Sequence, residues 1–414
     1  ICANVGNTLP RSAKRRTEFS SAASSTSRSA SPNWFSSASV MSVSTAVTPP
    51  VLHRSPPVVT LPATDLEEML YRYRMTTRPH LRVGACYDFR NPIDSPLSWP
   101  QLYGAVLDQI AWLDELGFDL VWFTEHHFVD DGYLPSWIPV AGAVASRTSR
   151  IRISSDITLM PFQEPLRLAE DLAVLDNISN GRMEIGVGMG YALHEFRGFN
   201  IPRAQRVSRT EEGVEVLQRA FSGERFSFEG KRFTYNDVRV TPTPVQEGGP
   251  PIWMAAMGPP GAERAARLGL HLLPQGAADQ VLDPWREATR ARGVDPSSRR
   301  VGIIRPWLVT DDRDRDWPSI RAAERYKAGI YAEWLTSSGD NVSLQLTGNA
   351  DPIPQTWVIG NEDKVFNDMC EFIDAFGITD VVTWGCPPGF DPEQMNESFE
   401  RFASGVLPRL RERY

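Results

Sequence analysis

From Leu81 onward, short apolar or β-branched runs alternate with longer amphipathic segments. LRVGACY (81–87) reads as a strand. The next segment places Leu102, Val106, Ile110 and Leu113 at i, i+4, i+8 and i+11, the spacing of one helix face. FDLVWFT (118–124) predicts a second strand, followed by a helix through 137–147 and a strand in RIRISSDITLM (150–160). A helix from Leu166 to Ile178 precedes GRMEIGVGMG (181–190), and another runs from about Arg206 to Phe221. PPIWMAA (250–256), LHLLP (270–274), RVGIIRPWLVT (300–310) and TDVVTW (379–384) complete eight strand-like runs.

These runs are mostly apolar throughout, as a parallel sheet covered on both faces requires. Eight repeats of strand then helix predict a (β/α)₈ TIM barrel with insertions rather than an open doubly wound sheet. One insertion, residues 223–245, has alternating aromatics around Glu229 and Gly230 and predicts a hairpin. The other, residues 337–361, reads as a long loop before the last helix–strand–helix. In a barrel such loops sit over the active-site mouth or close it.

The first 74 residues carry no such period. Up to residue 60 there are 14 Ser, six Lys or Arg and a single acid, Glu18. That composition buries too little apolar area to offset ordering entropy. Residues 1–74 are therefore expected to be a disordered Ser/Arg-rich extension, with the barrel domain over 75–414. The segment reads as an extension upstream of Met75 in preference to an organelle transit peptide. The net charge is −8; residues 1–74 hold 8 basic and 4 acidic side chains, or +4, which leaves −12 for 75–414. With no long basic face, nucleic acid and membrane are not expected partners. No apolar run reaches 18 residues, the length of a spanning helix. Cys2, Cys86, Cys370 and Cys386 lie far apart without metal spacing, which fits a reduced, cytoplasmic protein.

Three clusters carry candidate chemistry. Glu125, His126 and His127 leave the second strand, and strand C-terminal ends face a barrel's active site. Adjacent residues point in opposite directions, so one histidine faces the pocket while the other bonds the backbone or a neighbouring loop. Zinc would need a further ligand, for which His194 or Glu195 is available, but no spacing demands it. In GRMEIGVGMGY (181–191), glycines at 186, 188 and 190 either allow close approach of a flat ligand or simply make a tight turn. The spacing does not match a dinucleotide fingerprint. In MGPPGAERAARLG (257–269) a helix start offers N–H groups to an anion, or is merely a capped helix. Arg206 and Arg209 either add a cationic clamp or pair with Glu211 and Glu212.

In this order, GFDLVWFTEHHF, LMPFQEPLRLAEDLAVLDNISNGRMEIGVGMGY, EFRGFNIPRAQRVSRTEEGVEVL and PPIWMAAMGPPGAERAARLG resemble the bacterial luciferase-like flavin monooxygenases over about residues 80–410. The resemblance implies a (β/α)₈ barrel binding FMN, or in some branches F420, at the C-terminal mouth. It makes His126 the catalytic histidine, which assists a flavin C4a-peroxide or takes a proton from substrate, with Glu125 and His127 as its neighbours. Ile157 would lie against the isoalloxazine beside an unusual peptide bond at Asp156. Gly190 and Tyr191 would frame the ring and ribityl chain. Arg206 would meet the phosphate with Met257, Gly258 and Gly261. Met189 stands where many relatives carry an arginine, which implies weak FMN binding and reduced flavin borrowed from a separate reductase.

The implied function is FMN-dependent oxygenation of a small apolar or aromatic substrate with O₂, in a homodimer. Tyr87, Phe89, Trp122, Phe128, Trp253 and Trp307 are candidate pocket aromatics. The rivals are F420-dependent hydride transfer on the same barrel and a flavin-binding protein without turnover.

Overall fold

The computed structural model describes residues 79–275, 278–338 and 357–414. The expected disordered extension and most of the 337–361 loop lie outside the described residues.

Eight parallel strands form the barrel: Arg82–Tyr87, Leu120–Phe123, Arg152–Ser155, Ile185–Gly188, Ile252–Ala256, His271–Pro274, Gly302–Ile304 and Asp380–Trp384. The seventh, eighth, first, second and third make one sheet; the fourth, fifth and sixth belong to another. Isolated parallel bridges, Ile153 to Met183 and Leu272 to Val301, join the two into a closed ring. The (β/α)₈ reading of the apolar runs is therefore the observed architecture.

The predicted helices form where the apolar spacing placed them, at Trp99–Leu116, Trp137–Arg147, Pro165–Ser179 and Arg206–Phe221. Leu102, Val106, Ile110 and Leu113 are all buried, so the first of these helices lays that stripe on the sheet. It ends at Gly117, whose φ of +90° suits a residue without Cβ. The predicted hairpin is present as Phe226–Glu229 against Thr234–Val238.

Two runs read as single strands are divided. The 150–160 run breaks at a cis peptide bond between Asp156 and Ile157. Arg152–Ser155 pairs with the second strand, whereas Thr158–Leu159 turns to pair with the fourth. The 300–310 run breaks at Pro306, which has no N–H to donate to a ladder. Gly302–Ile304 stays in the barrel, and Trp307–Val309 leaves it to pair with Val358–Gly360.

The N-terminal end of the barrel is closed by charge. Glu184 accepts from Arg82 at 2.6 Å, from Arg152, and from the Trp253 indole at 2.8 Å. Burial opposes ionisation there, yet the two arginines hold the Glu184 carboxyl well below the usual range. That face is the one where barrels keep stability rather than chemistry, which leaves the opposite end for the site.

Candidate active site

At the C-terminal end of the second strand the chain delivers Thr124, Glu125, His126 and His127 side by side, all buried. The two histidines diverge, as alternation along an extended chain requires. Nδ1 of His126 lies 2.9 Å from Oε1 of Glu195, while Nε2 of His127 lies 2.9 Å from Oε1 of Glu125. The same Oε1 of Glu195 accepts the backbone N–H of His127 at 2.9 Å. His194, from the short helix Leu193–Gly198 that also carries Glu195, spends its Nε2 on the His127 carbonyl at 3.0 Å. These residues thus form two histidine–carboxylate pairs.

The ring of His126 meets Tyr133 at 4.8 Å and Tyr191 at 5.7 Å between centroids, both edge-on. Trp334 at 4.7 Å and Tyr331 at 6.1 Å close its other sides. His127 faces away from this cage, toward Phe162 and Phe199. Tyr331 and Trp334 come from the long helix Arg313–Ser338, which follows the seventh strand.

Of the six candidate pocket aromatics, most of which could equally be core, Tyr87, Trp122, Trp253 and Trp307 are fully buried side chains. Phe89 is buried against Tyr103, and Phe128 is 60% exposed. Trp122 and Trp253 meet inside the barrel, their ring centroids 6.2 Å apart, Tyr87 reaches Gln109 of the first helix and Trp307 stacks on Phe402, so the cage is assembled from loops and the long helix instead.

Past the third strand, Asp156 is buried and the Gln275 side-chain amide, just past the sixth strand, reaches its carboxylate at 3.1 Å. Burial pushes the Asp156 carboxyl up to about 7, against the opposing pull of the Gln275 hydrogen bond. Burial also raises Glu125, with the His127 hydrogen bond opposing it. Ile157 packs over the glycine turn: a Cβ on Gly188 would lie 1.7 Å from its Cδ1, and one on Gly186 would lie 2.1 Å from the Ser155 carbonyl oxygen. Two of the three glycines thus make room for the neighbouring strand. Gly190 has φ +64° and its carbonyl accepts from Nη1 of Arg206 at 3.1 Å.

The fourth and fifth strands are neighbours, so the segments after them emerge together. Met257 is half exposed, Gly258 caps the helix Pro259–Arg267, and a Cβ on Gly258 would meet nothing within 4 Å. The helix start has fewer donors than expected. Pro259 and Pro260 carry no N–H, and those of Gly261 and Ala262 both donate to the Gly258 carbonyl at 3.1 Å. Arg209 is not part of a clamp: it donates to the Pro161 carbonyl at 2.6 Å and stacks on Phe233. Glu211 pairs with Arg264 and Arg267 of the neighbouring helix.

Residues 85–379 match the luciferase-like monooxygenase family. The chain belongs to that family. Two relatives frame its chemistry. The oxygenase component of a flavin-dependent trigonelline monooxygenase from Acinetobacter baylyi is 27% identical over 333 residues, 75% of this chain and 91% of the relative. An F420-dependent glucose-6-phosphate dehydrogenase from Amycolatopsis mediterranei is 26% identical over 326 residues, 72% of this chain and 92% of the relative. Among solved structures, a monooxygenase from Streptomyces bottropensis superposes with a TM-score of 0.70 at 26% identity, over 80% of this chain and 99% of the other. The luciferase-like family therefore brings both flavin- and F420-dependent oxidoreductases to this barrel.

Proposed function

We propose that this luciferase-like protein is a flavin-dependent monooxygenase acting on a small, largely apolar organic substrate with O₂, using reduced FMN from a separate flavin reductase. The observation that carries the reading is the setting of His126. Its ring is buried, tied at Nδ1 to Glu195, and enclosed by four aromatic side chains. A water-poor cage of this kind protects oxygen chemistry from side reactions. The relative from Acinetobacter baylyi, itself an oxygenase component, supports the two-component arrangement.

The mouth residues fit a flavin. Ile157 and Tyr191 offer apolar flanks for a flat ring, and the open space at Gly258 admits a polar tail. Arg206 would meet the phosphate, with Gly190, Met257, Gly258 and Gly261 along the path and Asp156 near the ring edge. When bound, reduced FMN supplies the electrons that activate dioxygen. The chain's own contribution is orientation and proton control. A carboxylate at Nδ1 keeps a proton on that nitrogen, so Nε2 of His126 is the atom left to exchange a proton with substrate. Glu125 and His127, paired with each other, brace the loop from behind.

A second reading has one observation in its favour: an F420-dependent dehydrogenase is about as similar to this chain as the oxygenase component. In that reading Nε2 of His126 would take the hydroxyl proton of an alcohol, and F420, when bound, would accept the hydride from the carbinol carbon. We further propose a homodimer located in the cytoplasm; among the described residues no helix is long and apolar enough to cross a membrane.

The deciding experiment is anaerobic titration of the full chain with reduced FMN and with reduced F420, followed by mixing with ¹⁸O₂ and candidate substrates. Binding of reduced FMN with ¹⁸O entering an organic product supports the monooxygenase. Binding of reduced F420 alone, with no oxygen consumed, overturns it in favour of hydride transfer.

A further inference from the structure

Behind the His126 cage lies a second polar cluster that the proposed chemistry leaves unused. The first strand ends in Asp88, Phe89 and Arg90, all buried. Nε of Arg90 is paired with Oδ2 of Asp131 at 2.7 Å, and its side chain has no exposed surface. The guanidinium lies against the rings of Tyr133 and Tyr326, each at 5.1 Å, and of Tyr331 at 6.0 Å. Beyond the Tyr326 hydroxyl, neither Nη1 nor Nη2 of Arg90 has a hydrogen-bond acceptor among the described residues. Two residues earlier, Asp88 uses only Oδ1, on the Arg90 backbone N–H at 3.2 Å, and its Oδ2 has no donor.

Orphan donors and an orphan acceptor on neighbouring buried side chains are costly, and native interiors rarely leave them unmatched. One ligand group answers both at once: a hydroxyl, which accepts from an Arg90 N–H and donates to Asp88 Oδ2. A carboxylate answers less well, because Asp131 and Asp88 already flank the guanidinium. The other nearby cation, Lys327, is itself paired with Glu324 at 2.5 Å. Tyr133 and Tyr331 are shared between this cluster and the His126 cage, their hydroxyls 2.8 Å apart. A flat ring fixed at Arg90 therefore extends along aromatic walls toward His126.

The geometry points to a substrate subsite for a neutral phenolic hydroxyl, with Arg90 as its donor and Asp88 as its acceptor, so that the substrate class is a phenol. This inference rests on the monooxygenase reading for its place beside His126, but binding at the subsite is tested without turnover. Tyr326 and Tyr331 belong to the long helix Arg313–Ser338, so that helix has to shift for a ligand to enter.

The test is calorimetric titration of the full chain with 4-methylphenol, 4-methylanisole and 4-methylbenzoate, with reduced FMN titrated separately. The phenol is expected to bind at least tenfold more tightly than the ether, which cannot donate, and the benzoate not to bind. Arg90→Gln and Asp88→Asn should each weaken the phenol at least tenfold while leaving reduced-FMN affinity within about threefold. Equal binding of phenol and ether by the wild-type chain overturns the subsite, and needs no variant to fold. Unchanged phenol affinity in Asp88→Asn overturns it as well. Selective phenol binding without any binding of reduced FMN supports the subsite and overturns the flavin reading instead.

Discussion

One carboxylate oxygen, Oε1 of Glu195, holds both histidines of the mouth: it lies 2.9 Å from Nδ1 of His126 and accepts the backbone N–H of His127 at 2.9 Å. The two contacts separate under substitution. Glu195→Ala leaves a buried N–H and a ring nitrogen unmatched and should cost about 1–3 kcal/mol, read from the denaturant midpoint. Glu195→Gln keeps an acceptor but removes the charge. It should fold nearly as well as wild type, lose oxygenation about tenfold, and change the shape of the pH–rate profile. Full activity in the glutamine variant would leave Glu195 a packing residue only.

His126→Ala removes the proton-exchanging ring, which meets the residues proposed to hold the flavin edge-on at Tyr191, 5.7 Å between centroids. Reduced-FMN affinity should stay within about threefold while product formation falls by about 10²-fold or more, the ordinary scale of general acid–base catalysis. Turnover unchanged within a factor of two would take this ring out of the mechanism.

The glycine turn offers a contrast between two positions two residues apart. A Cβ at Gly186 collides with the Ser155 backbone oxygen, which is held in place by the third strand's ladder with the second. At Gly188 the collision is with the end of the Ile157 side chain, which can rotate. Gly186→Ala should therefore lower the melting temperature by about 10 °C or prevent folding. Gly188→Ala should melt within a few degrees of wild type but bind reduced FMN more weakly, because Ile157 has been turned. Equal thermal losses at the two sites would contradict this account.

Asp156 makes stability fall with pH. Its ordinary value is 3.8 and burial raises it to about 7, so between those limits the folded chain keeps a proton that the unfolded chain has released. Its contribution therefore declines as pH rises from about 4 to 7 and is constant above. His271, which burial pushes down to about 4, has the opposite slope over part of this window. The comparison is accordingly between variant and wild type. Asp156→Asn should gain on wild type by on the order of a few kcal/mol between pH 4 and pH 8. A flat difference across urea titrations at pH 4.5, 6 and 8 would show Asp156 ionised throughout.

Much of the barrel was legible because burial on both faces leaves an unbroken apolar run, and one-faced helices leave a 3.6-residue stripe. The cluster of Glu125, His126 and His127 was legible from its place at a strand end. Other features were not. Pro306 announces that 300–310 cannot be one ladder, and the two prolines at 259 and 260 announce a helix start poor in N–H groups; both signals sit in the sequence. The partners of His126 are another matter. Glu195 is 69 residues away, and Tyr331 and Trp334 more than 200. No local period places them; only closure of the barrel and the path of the long helix do so. Likewise Trp122 and Trp253 read equally well as pocket or core, because hydrophobic pattern does not say which side of a strand wall a ring fills.

Two of the barrel's eight seams lack full ladders: the sixth and seventh strands meet at the isolated bridge Leu272 to Val301, and the third and fourth at Ile153 to Met183 with the short Thr158–Leu159 pairing above it. Asp156 and Gln275, one from each sheet, meet at the mouth between those seams. Amide protons beside the seams should exchange with solvent deuterium before those of the first, second and eighth strands. A molecule bound between Ile157 and Gly258 would stitch the two sheets together from above. Occupancy of the mouth should then be recorded as slowed deuterium uptake along the two seams, far from any atom that undergoes chemistry.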